Sequence, residues 1–370
     1  MNSILVNATA SHSSGALSIY KDFINFLKSY EDKNLYYVFT GVNEFSDSEF
    51  IKFIYMDKMN WKQRIEWDKN GVRNWCKENS IEPSLIISLQ NTCANYFDIP
   101  QLVYYHQSLP LIPYQWNPLK KTERVLFLYA HFYKFFVNKY NKNAQYVVQL
   151  PYIKKLFLKK FKNVSDDNVF VIRPNSPSVN LDAYREYEHK FRFIYPATPL
   201  EYKNHKIIIN AIKVIKEKNP CLLEKFEVIF TCDETSFVGK LVKKYKLEDV
   251  VLCIGTVSYD KMLEYYKNSD VLLFPSKIET YGMPLIEAAK FGLEILAADL
   301  SYANEVLEKY DNKVFIGPND KKEWAKQIEK CIMTKDKVIN NNRILQNEKE
   351  NSWSIFFEIV SNILSNTKEK

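Results

Sequence analysis

The stretch from Asp270 to Gly292 holds the densest set of groups able to do chemistry in this chain. An apolar run reads as a buried strand that stops at Pro275, and a loop with Glu279 and Gly282 follows it. Pro284 stands where a first helical turn begins, and Gly292 closes that helix. The backbone N–H groups around Gly282 and Leu285 are then expected to point away unpaired, an arrangement that attracts phosphate. Glu279 in the loop and Glu287 one turn inside the helix are placed to line one cleft. Two glutamates at this spacing mean little alone. The full string Phe-Pro-Ser-x-x-Glu-x-x-Gly-x-Pro-x-x-Glu-Ala is far more specific. His106 follows a buried strand directly, at the carboxyl end where ligands of parallel sheets collect; a hydrogen-bonded loop histidine is the alternative. His12 and His205 are less specific still. No second His or Cys stands at ligand spacing and no Asp-x-Asp pair occurs, so no metal is expected.

These groups must be carried on loops at one edge of a sheet. The chain reads as short apolar runs alternating with amphipathic helices, twice over. In the first half the expected strands are 4–6, 36–39, 85–89, 102–105, 146–149 and 169–172, with helices at 16–27 and 124–140. Nearly continuous apolar segments of this length suit strands buried on both faces of a parallel sheet. Residues 173–178 carry two prolines in a polar setting and, with the charged stretch to Lys190, form the best linker candidate. Strands are then expected at 191–195, 226–231, 250–254, 271–274, 293–297 and 314–316, with helices at 206–216, 261–268, 284–291 and 321–333. Two such alternations imply an α/β protein of two Rossmann-like, doubly wound domains facing across a cleft. The expected divisions are a first domain at 1–175, a linker at 176–190, a second domain at 191–350, and a closing helix at 351–370.

Composition removes other classes. At 370 residues the chain suits about two domains. With 46% hydrophobic and 26% charged residues it is neither disordered nor collagenous. The net charge of +7 rests mostly on Lys, with seven Arg, which does not favour base-reading of nucleic acid. Such a surface suits anionic lipid or a phosphorylated small molecule equally well. Six cysteines without a C-x-x-C pair point to reduced thiols and a cytoplasmic protein. Residues 1–7 lack a basic n-region, so no signal peptide is expected, and no run suits a membrane span. The segment 124–142 joins seven large apolar residues to Arg124, Lys134, Lys139 and Lys142. It is expected to bury its apolar side on the sheet, with contact to an anionic membrane as the second reading.

The Asp270–Gly292 string resembles the E-x7-E motif of glycosyltransferase family 4, a retaining group with the GT-B fold. Further stretches resemble the same family in order: 193–205 its first C-domain strand and Lys-bearing phosphate loop, Gly255-Thr256-Val257-Ser258 its base-binding loop, and Asp299–Val306 its D-x-P-Y-x-x-E-V element with Ser301 in the proline's place. Weaker matches lie at 105–110 and 147–149. The resemblance implies a sugar transferase that must stabilise a departing nucleoside diphosphate and an oxocarbenium-like carbon. It implies Glu279, Lys203 and His106 as catalytic groups, with Glu279 orienting the donor sugar and Lys203 meeting the diphosphate. Glu287 would hold the ribose hydroxyls. Thr280, Tyr281, Gly282, Met283, Pro284, Gly255 and Thr256 would line the donor site, together with Ser14 and Gly15. No cofactor, metal or protein nucleophile is implied. The implied partners are a nucleotide-sugar donor and a glycan or lipid-linked acceptor, in bacterial surface polysaccharide assembly.

The chain departs from the family in places. Ala197-Thr198 replaces the Gly-Arg that usually precedes the lysine loop, which removes one cation. Lys277, an acceptor group or nothing stands in for it. The Gly-rich loop after the first strand is reduced to 10–15, whose Gly15 and serines can donate to a diphosphate or form a solvated turn. Two alternatives stay open: an epimerase or phosphorylase of the same fold, against which the intact glutamate string argues, and a catalytically silent nucleotide-sugar-binding subunit.

Overall fold

The computed structural model describes residues 1–12, 14–175, 190–334 and 351–368. Ser13, nearly all of the 176–190 linker and the end of the second domain lie outside the described residues. The chain divides into two compact units, Met1–Asn175 with Glu348–Lys370, and Ser176–Asn347.

The first unit runs β1 (Ser3–Ala8), α1 (Ser14–Ser29), β2 (Leu35–Thr40), β3 (Ile51–Tyr55), α2 (Trp61–Glu66), α3 (Val72–Glu78), β4 (Leu85–Ser88), β5 (Gln101–Tyr104), α4 (Arg124–Val137), β6 (Ala144–Val148), α5 (Pro151–Lys160) and β7 (Val169–Val171). The seven strands are parallel, in the order β3-β2-β1-β4-β5-β6-β7. Central strands such as β4, LIIS, are buried along their whole length, because helices cover both faces. β3 sits at the edge, and its burial alternates. That period of two, with Lys52 on the outer face, is why no strand is expected there from apolar runs alone.

The second unit runs β8 (Phe191–Tyr195), α6 (His205–Lys218), β9 (Phe226–Phe230), α7 (Phe237–Lys244), β10 (Val251–Cys253), α8 (Tyr259–Lys267), β11 (Val271–Phe274), α9 (Met283–Lys290), β12 (Glu294–Ala298), α10 (Ser301–Val306), β13 (Lys313–Ile316) and α11 (Lys321–Met333). Its parallel strands are ordered β10-β9-β8-β11-β12-β13. In both sheets the order reverses beside the first strand. The loops leaving β1 and β4, and those leaving β8 and β11, therefore flank the crevice where ligands of open α/β sheets bind.

The last helix, α12 (Ser352–Lys368), belongs to the first unit. Trp353, Phe356, Phe357 and Val360 are buried in one cluster with Ile4, Val6, Phe23 and Tyr36. Phe357 stacks on Phe23 with ring centroids 5.7 Å apart, and Trp353 Nε1 donates to Asp22 at 2.7 Å. Burial of each such phenyl ring contributes about 1.5–3 kcal/mol, enough to hold a short terminal helix that would not persist alone. Among the described residues no helix is long and apolar enough to cross a membrane.

Candidate active site

In the second unit β8 ends at Tyr195, and its loop is tied down before it reaches Lys203. The Tyr195 hydroxyl donates to the Lys203 carbonyl at 2.6 Å. The Lys277 backbone N–H donates to the Tyr202 carbonyl at 2.7 Å. Asn204 adopts a left-handed backbone (φ 58°) and caps the loop by donating to the Pro275 and Pro318 carbonyls at 3.2 and 2.8 Å. Lys203 thus emerges at the switch point, against the loop leaving β11. Its Nζ donates to Glu279 Oε1 at 2.6 Å, with the two side chains only 18% and 13% exposed. Burial opposes the ammonium, but Glu279 and Tyr202 outweigh it and raise the Lys203 pKa above its ordinary value. The lysine is held charged.

His205, the first residue of α6, is a core histidine. It packs between the Tyr195 and Phe230 rings at 4.6 and 5.1 Å. Burial, with the charge of Lys203, drives its pKa down to about 3, so it adds no cation to this loop.

Gly282 caps α9 with φ 91°, a region closed to most side chains. A Cβ there would also meet Leu285 Cδ1 at 3.2 Å and the Phe274 ring at 3.3 Å. Gly282→Ala is therefore expected to destabilise the unit by about 1–3 kcal/mol, as measured by denaturant unfolding. A change below about 0.5 kcal/mol would mean that the loop refolds around the methyl group. One expectation needs correction. The Leu285 N–H is bonded to the Gly282 carbonyl at 2.9 Å, and Pro284 has no N–H. The helix start offers fewer donors than a generic N-terminus.

Glu287 lies in the middle of α9, only 8% exposed. Tyr266 on α8 donates to its Oε2 at 2.7 Å, and the Tyr259 hydroxyl is a second donor. Burial raises the Glu287 pKa in spite of these two bonds. Tyr259 opens α8 directly after the loop 255–258, so it joins Glu287 to Gly255 and Thr256. Gly255 has φ 76°, and a Cβ would sit 3.2 Å from Asp233; Thr256 is exposed. Tyr281 is buried, and Thr280, Met283 and Pro284 are half-buried. The structure thus joins Lys203 to Glu279, and Glu287 to the 255–258 loop. Lys277 reaches Asn319 at 2.8 Å, and Thr198 is exposed on the loop after β8. The tyrosines around Glu287 escape sequence reading because Tyr266 is one of the buried residues of its helix and Tyr259 is an exposed first residue, so neither stands out as a partner of a distant carboxylate.

Residues 180–350 match the family model for glycosyl transferases group 1. The chain is 23% identical over 246 residues to the O-antigen chain mannosyltransferase RfbU of Salmonella typhimurium; the alignment covers 65% of either chain, just under two thirds of that relative. A crystal structure of a glycosyltransferase from Rickettsia africae superposes with a TM-score of 0.66 at 16% identity, covering 99% of each chain. The Anabaena protein HepE, in complex with UDP and glucose, superposes with a TM-score of 0.66 at 14% identity, covering 99% of this chain and 100% of that one. The fold is GT-B.

In the first unit of this GT-B chain His106 stands just beyond β5. Its backbone N–H donates to Asn91 Oδ1 at 2.6 Å. Its ring Nε2 lies 3.2 Å from the Leu89 carbonyl, which accepts only from a protonated nitrogen. The Asn91 amide Nδ2 lies 3.4 Å from the same ring nitrogen. Burial lowers the pKa of His106, so the neutral ring is favoured. It lines a cavity of about 120 Å³ with Ser11, Arg64, Gln90, Asn91 and Tyr133. Asn91 takes a left-handed φ of 71° there.

Below this cavity Asp68 sits on a π-helical turn, Trp67–Gly71. It accepts from Thr92 at 2.7 Å, Gln90 at 2.9 Å and Asn7 at 3.3 Å. Burial pushes its pKa up to about 6, against these hydrogen bonds and the charge of Arg64. It ties β1 to the loop leaving β4, and no sequence signal marks it. Gly15 lies within α1, where an added methyl would meet nothing within 4 Å, and Ser14 is the first residue of that helix. Among the described residues no three His, Cys, Asp or Glu side chains gather as a metal site.

Proposed function

We propose that this chain is a retaining glycosyltransferase, moving a sugar from a nucleotide-sugar donor to a glycan or lipid-linked acceptor in bacterial surface polysaccharide assembly. The observation that carries this reading is the Lys203–Glu279 ion pair at the switch point of the second sheet. In the absence of donor each group satisfies the other. A diphosphate entering beside Lys203 takes over the ammonium and leaves Glu279 to orient the sugar and offset positive charge at its anomeric carbon. Glu287 accepts from the ribose hydroxyls, and His106 serves the acceptor side. Lys203 and the start of α9 supply the positive field for the leaving group without a metal. The names of the relatives support the setting: RfbU is an O-antigen mannosyltransferase, and the HepE structure holds UDP and glucose.

The test is thermal unfolding with UDP, GDP and ADP and their sugars, followed by turnover in EDTA and the anomeric configuration of the product by NMR. One nucleotide is expected to stabilise the fold, by about 2.7 kcal/mol at a hundredfold excess over Kd. Turnover should survive EDTA and give the donor's own anomer. Loss of activity restored by Mg²⁺ would sink the metal-free account. Binding without turnover would leave the silent subunit.

A further inference from the structure

α4 has two faces that differ in kind. Leu126 and Val137 are its buried apolar residues, and Tyr133 faces inward, donating to the Gln90 carbonyl at 3.2 Å. On the other side Val125, Leu128, Phe132 and Phe135 are exposed by 60, 48, 51 and 60%. They recur at i, i+3, i+7 and i+10, which at 100° per residue places them within about 80° of one another. Of the seven large apolar residues expected to face the sheet only Phe132 is exposed; the rest of this ridge comes from Val125, Leu128 and Phe135, which that pattern leaves out. A ridge of four large apolar side chains in water marks a surface that something covers.

The charges around the ridge say what covers it. α4 contains no Asp or Glu. Glu123 just before it is 9% exposed and bonded by Lys120 at 2.8 Å and the Asn117 N–H at 2.9 Å. Lys121 and Arg124 are exposed at one end of the ridge and Lys139 at the other. The neighbouring α5 also lacks acids and exposes Lys155, Lys159 and Lys160. Lys160 lies close enough to Lys134 for their like charges to interact, so the two helices form one basic surface. The Lys134 ammonium lies over the Phe135 ring, 5.0 Å from its centroid, the posture of a lysine that covers apolar surface while keeping its head in water. A convex apolar ridge bordered by cations matches a surface that is anionic outside and apolar beneath.

We propose that α4 docks on an anionic phospholipid bilayer, with its four exposed apolar side chains in the acyl boundary and the lysines of α4 and α5 on the lipid phosphates. Tyr129 and Tyr133 of the same helix line the His106 cavity, so docking holds that cavity one helix away from the lipid. Resting on the sugar-transfer reading, this selects a lipid-linked acceptor over a free glycan.

The experiment is co-sedimentation of the full chain with phosphatidylcholine vesicles, with and without phosphatidylglycerol, in the absence of nucleotide. Binding is expected only with the anionic lipid and should weaken as salt rises. Phe132→Ser with Phe135→Ser should lower the partition coefficient at least about tenfold, close to 1.4 kcal/mol, and Lys139→Glu with Lys155→Glu should remove the preference for anionic lipid. Both variants change exposed residues, so their thermal unfolding and their stabilisation by nucleotide should match the wild type. Equal binding to both vesicle types, or undiminished binding by the Phe variant, overturns the proposal. So does a dimer in light scattering that the Phe variant dissolves, since a second copy would then cover the ridge. Failed nucleotide binding with intact vesicle binding would count against the sugar-transfer reading alone.

Discussion

Lys203→Ala is expected to cut turnover at least about tenfold, with the fold intact. A charge-assisted contact to phosphate contributes on the order of 1.5–3 kcal/mol, and more where water is excluded; each 1.36 kcal/mol is about one decade in rate. The ion pair complicates the measurement, because removing Lys203 leaves Glu279, a carboxylate only 13% exposed, without the ammonium at 2.6 Å. Part of any loss could then be structural. The double variant Lys203→Ala with Glu279→Gln separates the two effects. It should recover the stability lost by Lys203→Ala while turnover stays low. Thr198→Arg, exposed on the same loop, should partly rescue Lys203→Ala by restoring a cation near the diphosphate. Unchanged turnover in Lys203→Ala would mean that the phosphates are held elsewhere, with Lys277 the next residue to test. A dead single variant that Thr198→Arg cannot rescue would mean that position 198 faces away from them.

The inner strands of the second unit, β8, β9, β11 and β12, are legible in sequence because each is a short apolar run buried nearly throughout. β11, VLLF, is buried throughout and needs no alternation to be seen. β3 was not legible, since an edge strand buries one face and Lys52 breaks its apolar run. The outer face of α4 is illegible for a related reason. Composition reports that a helix is apolar, but Phe132 and Phe135 read the same whether they meet a sheet or the solvent.

At the site, the local features could be read because they are local. Gly282, followed at once by Pro284, marks a helix start with a special backbone, and the structure puts α9 there. Partnerships across the sequence could not be read. Lys203 and Glu279 are separated by 76 positions, and only the parallel pairing of β8 with β11 makes their loops neighbours. Asp68 is the extreme case. Its three partners come from β1 and the loop leaving β4, and its own π-helical turn has no sequence signature.

Glu287→Gln should weaken nucleotide-sugar binding at least about tenfold while making the ligand-free fold more stable. A carboxylate has about four lone-pair sites. Tyr266 and Tyr259 take up two of them, which leaves acceptors for two ribose hydroxyls. Glutamine keeps an oxygen for the tyrosines but turns two donors toward those hydroxyls. Each charge-assisted bond lost costs about 1.5–3 kcal/mol, which gives the tenfold floor. The gain in stability has its own pH signature. Burial raises the Glu287 pKa, so the folded protein holds this proton more tightly than the unfolded chain does. Below the ordinary carboxylate range of about 4.3 both states are protonated and burial of the charge costs nothing. As pH rises from there the unfolded chain ionises first, and the wild type loses stability relative to Glu287→Gln until the folded carboxyl has ionised too. Urea unfolding of both proteins across this range should show the difference growing with pH and then levelling, while calorimetry at neutral pH shows the loss of nucleotide affinity. A difference that shrinks as pH rises would mean that the buried carboxylate is stabilised by partners beyond the two tyrosines. Unchanged affinity would remove Glu287 from the donor site.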